Sequence, residues 1–294
     1  MMHLTTFRRT STLASLGLCL AMTTGTGAIA ADPPKGLVLH FNFDKADTAG
    51  AIPDGSGQNN AGKASGAKWT ATGKKGGGFE LSPATSTIRV PGSPSLTLKQ
   101  TTISAWFKIA KSDPNPRRIL NRGTDGAFSL AIGGDPKDPG AQGKLAVWLN
   151  NRTLCLSDNS VADGLWHNGV ATFDGKEVRL YVDGQAQKQV APCGPADVPG
   201  KGDLTIGAAK PGAPPQQGGG SIDGVIDEIM VFGRALSPEE IKAMVLAIDP
   251  APGKPKFTKQ QVAGRLRQLK LLYEEGLLTE EFYEARVKEC EAAE

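Results

Sequence analysis

Between Trp166 and Gly184 the chain reads WHNGVATFDGKEVRLYVDG, and this stretch restricts the fold more than any other. A strand opened by Trp166-His167 meets Asp174-Gly175, a pair suited to a tight hairpin turn. Val178, Leu180 and Val182 then alternate with polar or amphipathic neighbours up to a second turn at Asp183-Gly184. The same period of two recurs in Leu37, Leu39, Phe41 and Phe43, and in Ile103, Ala105, Phe107 and Ile109. It returns in Phe128, Leu130 and Ile132, and in Leu145, Val147 and Leu149. Strands with one apolar face each, separated by turns, predict an all-β fold of two antiparallel sheets packed face to face. Thirty-seven glycines and twenty prolines supply the turns, and residues 133–140 and 211–220 have the composition of exposed loops.

A second stretch, Gly224 to Ile241, reads GVIDEIMVFGRALSPEEI. The strand Ile226 to Phe232 runs into Ser237-Pro238-Glu239-Glu240, where Ser237 caps a helix, Pro238 suits its first position and Glu240 completes a capping box. Four short segments then act as a set: Trp166-His167, Leu180-Tyr181-Val182-Asp183-Gly184, Ile226-Asp227-Glu228 and Arg234-Ala235-Leu236-Ser237. In that order they resemble the bacterial laminin-G-like jelly-roll domains of the concanavalin A-like lectin/glucanase superfamily. The resemblance implies a two-sheet antiparallel jelly-roll sandwich over residues 36–248.

The ends of the chain differ from this middle. Residues 1–31 hold Arg8 and Arg9, no acid, an apolar run from Leu13 to Met22 and small residues around Ala28-Ile29-Ala30, the pattern of a cleaved secretory signal. The run is shorter than the roughly 20 apolar residues a membrane span needs. Residues 249–257, rich in proline, form a linker. In residues 258–294, Val262, Leu266, Leu269 and Tyr273 make a helical stripe that ends at Glu275-Gly276, and Thr279 begins a second helix. Leu269 to Phe282 is similar to the bacterial short C-terminal domain, a helical hairpin that buries little alone. It pairs with another copy, giving a homo-oligomer, docks on a partner, or folds onto its own sandwich.

Once the signal is removed, thirty-one bases face thirty acids, a net charge of +1 that offers no general attraction for nucleic acid or anionic membrane. Cys155 and Cys193 form a disulfide in an oxidising compartment or serve as two small buried hydrophobes, and Cys290 is left over.

The sequence offers three kinds of candidate site. The turn Asp54 to Gly62 is rich in oxygen donors, and the resemblance carries Asp54, Asn60 and Asp227 forward as ligands of a structural Ca2+, a hard cation that takes six to eight oxygens. The same residues suit a metal-free turn in which Asp and Asn bond the backbone. Trp106, Trp148, Arg179 and Tyr181 lie opposite the apolar rows of their strands, so on one sheet they would offer aromatic platforms and a donor to a sugar. Covered by loops, they would be packing residues. Trp69 sits near a loop, and Trp166 at a strand end. For catalysis, the Glu-x-Asp-x-x-Glu spacing of related sandwich glycosidases is absent. Asp223, Asp227 and Glu228 come nearest to it, while His40 and His167 stand near no nucleophile motif. These features point to a secreted, non-catalytic module that binds a glycan or a cell-surface protein. The alternatives are a structural or adhesion protein assembled by its hairpin and, further off, a divergent glycoside hydrolase.

Overall fold

The computed structural model describes residues 34–44, 50–83, 86–111, 115–122, 128–133, 139–149, 152–194, 202–207, 220–250, 259–280, 283–284 and 287. The expected signal segment, most of the linker, nearly all of 211–220 and Cys290 lie outside them.

Among the described residues the strands run β1 (Leu37–Phe41), β2 (Ala51–Ile52), β3 (Gly62–Ser65), β4 (Lys68–Thr70), β5 (Gly78–Leu81), β6 (Thr87–Val90), β7 (Thr101–Ile109) and β8 (Arg117–Arg122). They continue as β9 (Phe128–Ile132), β10 (Lys144–Leu149), β11 (Arg152–Ser160), β12 (Trp166–Phe173), β13 (Glu177–Val182), β14 (Gln185–Pro192), β15 (Leu204–Gly207) and β16 (Gly224–Phe232). One eight-stranded sheet has the order β14-β13-β12-β7-β16-β5-β4, with β1 also paired to β16. The other has the order β11-β10-β9-β8-β15-β6-β3-β2. Every ladder pairing is antiparallel, as a jelly-roll sandwich requires.

The core between the sheets is built from the rows that alternation marks out. Leu39, Phe41, Phe43, Ile103, Ala105, Phe107, Ile109, Phe128, Leu130, Ile132, Leu145 and Val147 are all buried in it. Leu37 departs from its row. The register of β1 on β16 shifts between Leu37 and Leu39, so Leu37 turns to the opposite face and joins a separate cluster with Val170, Tyr181, Phe232, Leu236 and Ile241.

That second cluster lies under helix α1 (Pro238–Ile248). Its start is the expected one: Ser237 Oγ accepts from the Glu240 amide, the Glu240 carboxylate accepts from the Ser237 amide, and Pro238 occupies the first turn. Arg234 ties the cap to the sandwich through paired bonds to Glu240 of 2.8 and 2.6 Å, while its Nε donates to the Lys35 carbonyl at 2.9 Å. Helix α2 (Lys259–Glu274) ends at Gly276, whose φ of +73° is the left-handed stop that a glycine tolerates. Beyond it Tyr283 stacks on Tyr273 with ring centroids 4.7 Å apart, and the described residues 280, 283, 284 and 287 are helical.

The Trp-His and Val-Asp-Gly segments prove to be two halves of one clamp. His167 Nδ1 bonds Asp183 Oδ2 at 2.8 Å and Nε2 bonds Asp163 Oδ1 at 3.1 Å, while Asp183 Oδ1 accepts from the Asn168 amide at 2.8 Å. Asp183 itself has a φ of +51°, and Gly184, at φ +76°, completes the turn at a place where an added Cβ would meet Lys242 and Val245 of α1. The bond to Asp183, reinforced by the negative charge of Asp183 and Asp163, outweighs burial and holds the His167 pKa above its ordinary value. A cationic group raised in this way adds stability that is complete below the unfolded value, about 6.5, and is lost as pH rises through the folded value. Chemical denaturation from about pH 6 to pH 8 therefore shows falling stability, and in His167→Gln that component of the fall is absent.

Candidate functional site

The four residues expected to make one sugar platform are distributed over two sheets, and two of them are covered. Trp106 on β7 is only 1% exposed, with Lys74 Nζ 4.6 Å from its ring centroid and paired in turn to Asp249 at 2.8 Å. Tyr181 on β13 is 3% exposed and packs in the cluster beneath α1. Arg179 is exposed and spends its Nε on Glu177 at 2.6 Å. Trp148 stands apart from all three, on β10 of the other sheet. Trp69 is 38% exposed with its indole N–H bonded to the Phe43 carbonyl at 2.9 Å, and Trp166 is half-buried at the start of β12.

Trp148 has a partner that strand parity alone does not reveal. The guanidinium of Arg118, from β8, lies 4.8 Å from the Trp148 ring centroid. The strand between them, β9, presents Ala131 opposite Arg118 and Ser129 opposite Trp148, and these small side chains leave room for Arg118 to reach across. A register shift between Arg118 and Leu120 puts Arg118 on the outer face although Leu120, two residues on, points into the core. Ser129 Oγ donates to Asn121 Oδ1 at 2.5 Å, and Thr205 Oγ1 donates to the Asn121 carbonyl at 3.4 Å. Trp148 Nε1, Arg118 Nε and Arg118 Nη1 are buried and have no hydrogen-bond partner. Burial pulls the Arg118 pKa down to about 10, which leaves it cationic at neutral pH.

The oxygen-rich loop is a hydrogen-bonded knot. Asp54 Oδ1 accepts from the amides of His40 and Ser56, each at 2.9 Å, and Oδ2 accepts from Ser56 Oγ at 2.7 Å and the Asn60 amide at 2.9 Å. The Asn60 side chain donates to the Val38 carbonyl and to Ser95, and its oxygen accepts from Ser93 at 2.6 Å. Asp227 serves a different segment: it accepts from the Lys75 amide at 2.9 Å and the Glu228 amide at 2.7 Å, and burial pushes its pKa up to about 7. The oxygens of Asp54 and Asn60 are already filled by N–H and O–H donors. Among the described residues no group of three or more His, Cys, Asp or Glu side chains is arranged to hold a metal. This donor set does not fit a calcium ion.

Asp227 and Glu228 do not form an acid pair either. At Glu228 the backbone enters the left-handed region, φ +47°, within a register shift of β16, and its carboxylate bonds His40 Nε2 at 2.7 Å. That contact edges a cavity of about 550 Å³ between α1 and the outer faces of β1 and β16, lined by Met230, Phe232, Leu236 and Met244. Arg234 and Glu240, also on its wall, are spent on each other, and Lys35, Asp44 and Lys75 line it as well. Asp223 is exposed on another part of the surface.

Of the two readings of the cysteine pair, the structure has the one with two buried thiols. Cys155 and Cys193 are separate buried thiols, with Cys155 Sγ 3.7 Å from the Val178 carbonyl and Cys193 Sγ 3.8 Å from that of Gly194. Desolvation raises the Cys155 pKa, which keeps it protonated and unreactive.

Because the Asp54 loop is closed by its own donors, the melting temperature is the same in calcium and in chelator. Asp54→Ala lowers it equally in both, since four hydrogen bonds are lost whether or not the cation is present.

A family model described as the concanavalin A-like lectin/glucanases superfamily matches residues 82–242. No curated protein matches the chain. Among solved structures, the binding domain of Paraclostridial Mosquitocidal Protein 1 superposes with a TM-score of 0.52 at 15% identity, covering 74% of this chain and 53% of that one. Domain 4 of AbnA, a GH43 extracellular arabinanase from Geobacillus stearothermophilus solved in complex with arabinotriose, gives 0.54 at 18%, covering 71% and 98%. Trypanosoma rangeli sialidase in complex with a difluorinated nononic acid gives 0.57 at 15%, covering 80% and 36%. The chain thus spans about half the length of the first and about a third of the last. At such identities the likeness is one of fold. With its two facing eight-stranded sheets and more than half of its length inside the family match, the chain belongs to the concanavalin A-like lectin/glucanases superfamily.

Proposed function

We propose that this chain is an exported, non-catalytic binding module that holds a saccharide on the outer face of the sheet containing β8, β9 and β10. One observation carries the reading: Trp148 and Arg118 stack on that face with buried N–H donors that the protein leaves unspent. A sugar brings both things such a site asks for, C–H surface for an aromatic ring and oxygens for the donors. Domain 4 of AbnA, of the same fold, was solved in complex with arabinotriose, which supports a saccharide over a protein as ligand. Export is read from residues 1–31, and no helix among the described residues is long and apolar enough to cross a membrane. The absence of catalysis is read from Asp227 and Glu228, whose carboxylates hold a loop and a histidine. On a glycan array the chain binds selectively, and Trp148→Ala weakens binding by at least about tenfold with the fold intact, the loss expected of an aromatic anchor. A folded protein that binds no glycan defeats the reading.

A second role is favoured by the C-terminal helices, where Leu271 and Leu277 are 54% and 66% exposed. We propose that this segment joins copies of the chain. Deleting residues 257–294 then lowers the mass measured by light scattering to that of a single sandwich, and an unchanged state of association would exclude it.

A further inference from the structure

We infer that the saccharide held at Trp148 is acidic, and that Arg118 recognises a carboxylate on it. This rests on the binding reading above and names the chemical class of the ligand. All three buried polar atoms left without a partner where these two side chains meet, Trp148 Nε1, Arg118 Nε and Arg118 Nη1, are N–H donors. A group that completes the site must therefore bring acceptors, and a neutral hydroxyl, which also needs somewhere to donate, does so less well than an anion.

Charge points the same way. Arg118 is only 5% exposed, and among the described residues no carboxylate pairs with it. A buried cation without a counter-charge is costly to keep. The Trp148 ring offsets part of that cost, as a cation over an aromatic face does, and leaves Nε and Nη1 of the guanidinium without an acceptor. Arg89 on β6 of the same sheet is already paired with Asp203 on both Nε and Nη2. Arg179 on the first sheet is likewise paired with Glu177. Both of those are surface pairs, whereas Arg118 is buried, charged and unspent.

The backbone around Arg118 holds it in place. Its amide donates to the Gly220 carbonyl at 2.9 Å and its carbonyl accepts from the Ile222 amide at 3.3 Å, so β8 is flanked at this point by residues 220–222. The guanidinium thus projects from a fixed main chain over the small side chains of Ser129 and Ala131. A carboxylate suits the planar fork of arginine better than it suits a lysine ammonium, so shape adds to charge in the selection.

The test uses titration calorimetry on the full chain with five probes: α-linked and β-linked hexuronate oligomers, the carboxyl-reduced neutral counterpart of each, and a sulfated oligosaccharide of the same length without carboxylates. The expected result is that at least one hexuronate binds and that carboxyl reduction weakens it by about tenfold or more, as loss of a charged hydrogen bond implies. Binding also weakens as salt is raised. Arg118→Gln abolishes the preference for the acidic over the reduced oligomer, and Arg118→Lys restores only part of it. Should Arg118→Gln fail to fold, the Lys variant and the salt series on the unaltered chain carry the test. Equal affinity for hexuronate and reduced oligomer overturns the acidic inference and leaves saccharide binding standing. A sulfated probe that outcompetes both hexuronates overturns the assignment to a carboxylate. No binding of any probe or any array glycan by the folded chain overturns both.

Discussion

β16 is the strand on which the rest of the sandwich depends. It bonds to β7 along one edge and to β5 and β1 along the other, so the first sheet is continuous only once this late strand lies in its middle. Its partners come from residues 37–41, 78–81 and 101–109, and contacts so distant in sequence close the sheet as a whole. The shift of register between Asp227 and Met230 is the local cost of fitting those edges together. Glu228 is held at a positive φ, a strain of about 1–3 kcal/mol for a residue with a side chain. The bond to His40 on β1 and the amides that meet Asp227 offset it. The Ile-Asp-Glu segment thus serves a structural end: its two carboxylates secure the neighbours of the closing strand.

The two outer faces are treated differently. On the first sheet, α1 covers Tyr181 and Val170, and Lys74 lies over Trp106 on its way to Asp249 at the end of that helix. The charged groups there, Arg234 with Glu240 and His40 with Glu228, satisfy each other. On the second sheet Arg118 Nε, Arg118 Nη1 and Trp148 Nε1 find no hydrogen-bond partner within the protein, and no carboxylate among the described residues pairs with Arg118. There the unpaired donors stand beside an uncompensated charge and an aromatic ring, and that combination makes the point a place for a ligand.

The fold was legible because alternation has a period of two wherever one face of a strand is buried, and Leu39 to Phe43, Ile103 to Ile109 and Leu145 to Val147 obey it. The capping box at Ser237 was legible because its donors and acceptors are neighbours in sequence. What alternation does not carry is what lies on top. Trp106 and Tyr181 do stand opposite the core, as expected, but residues from 74 and from 236–241 cover them, and those contacts bridge distant parts of the chain. Arg118 escaped notice for a related reason: a register shift breaks the alternation of β8, so residues of equal parity face opposite ways. Asp54 and Asn60 were found as a unit, and the turn reading of them describes the hydrogen bonds seen. The cysteine pair shows the limit of counting, since both thiols are buried and neither is bonded to the other.

The most direct test of where the ligand sits is to watch the indole N–H resonances of the four tryptophans, assigned by single substitution, while a hexuronate oligomer is added. The account predicts a large shift for Trp148, whose buried Nε1 gains an acceptor, and none for Trp106 beneath Lys74. A shift of Trp106 with Trp148 unmoved would place the ligand on the first sheet and contradict the account.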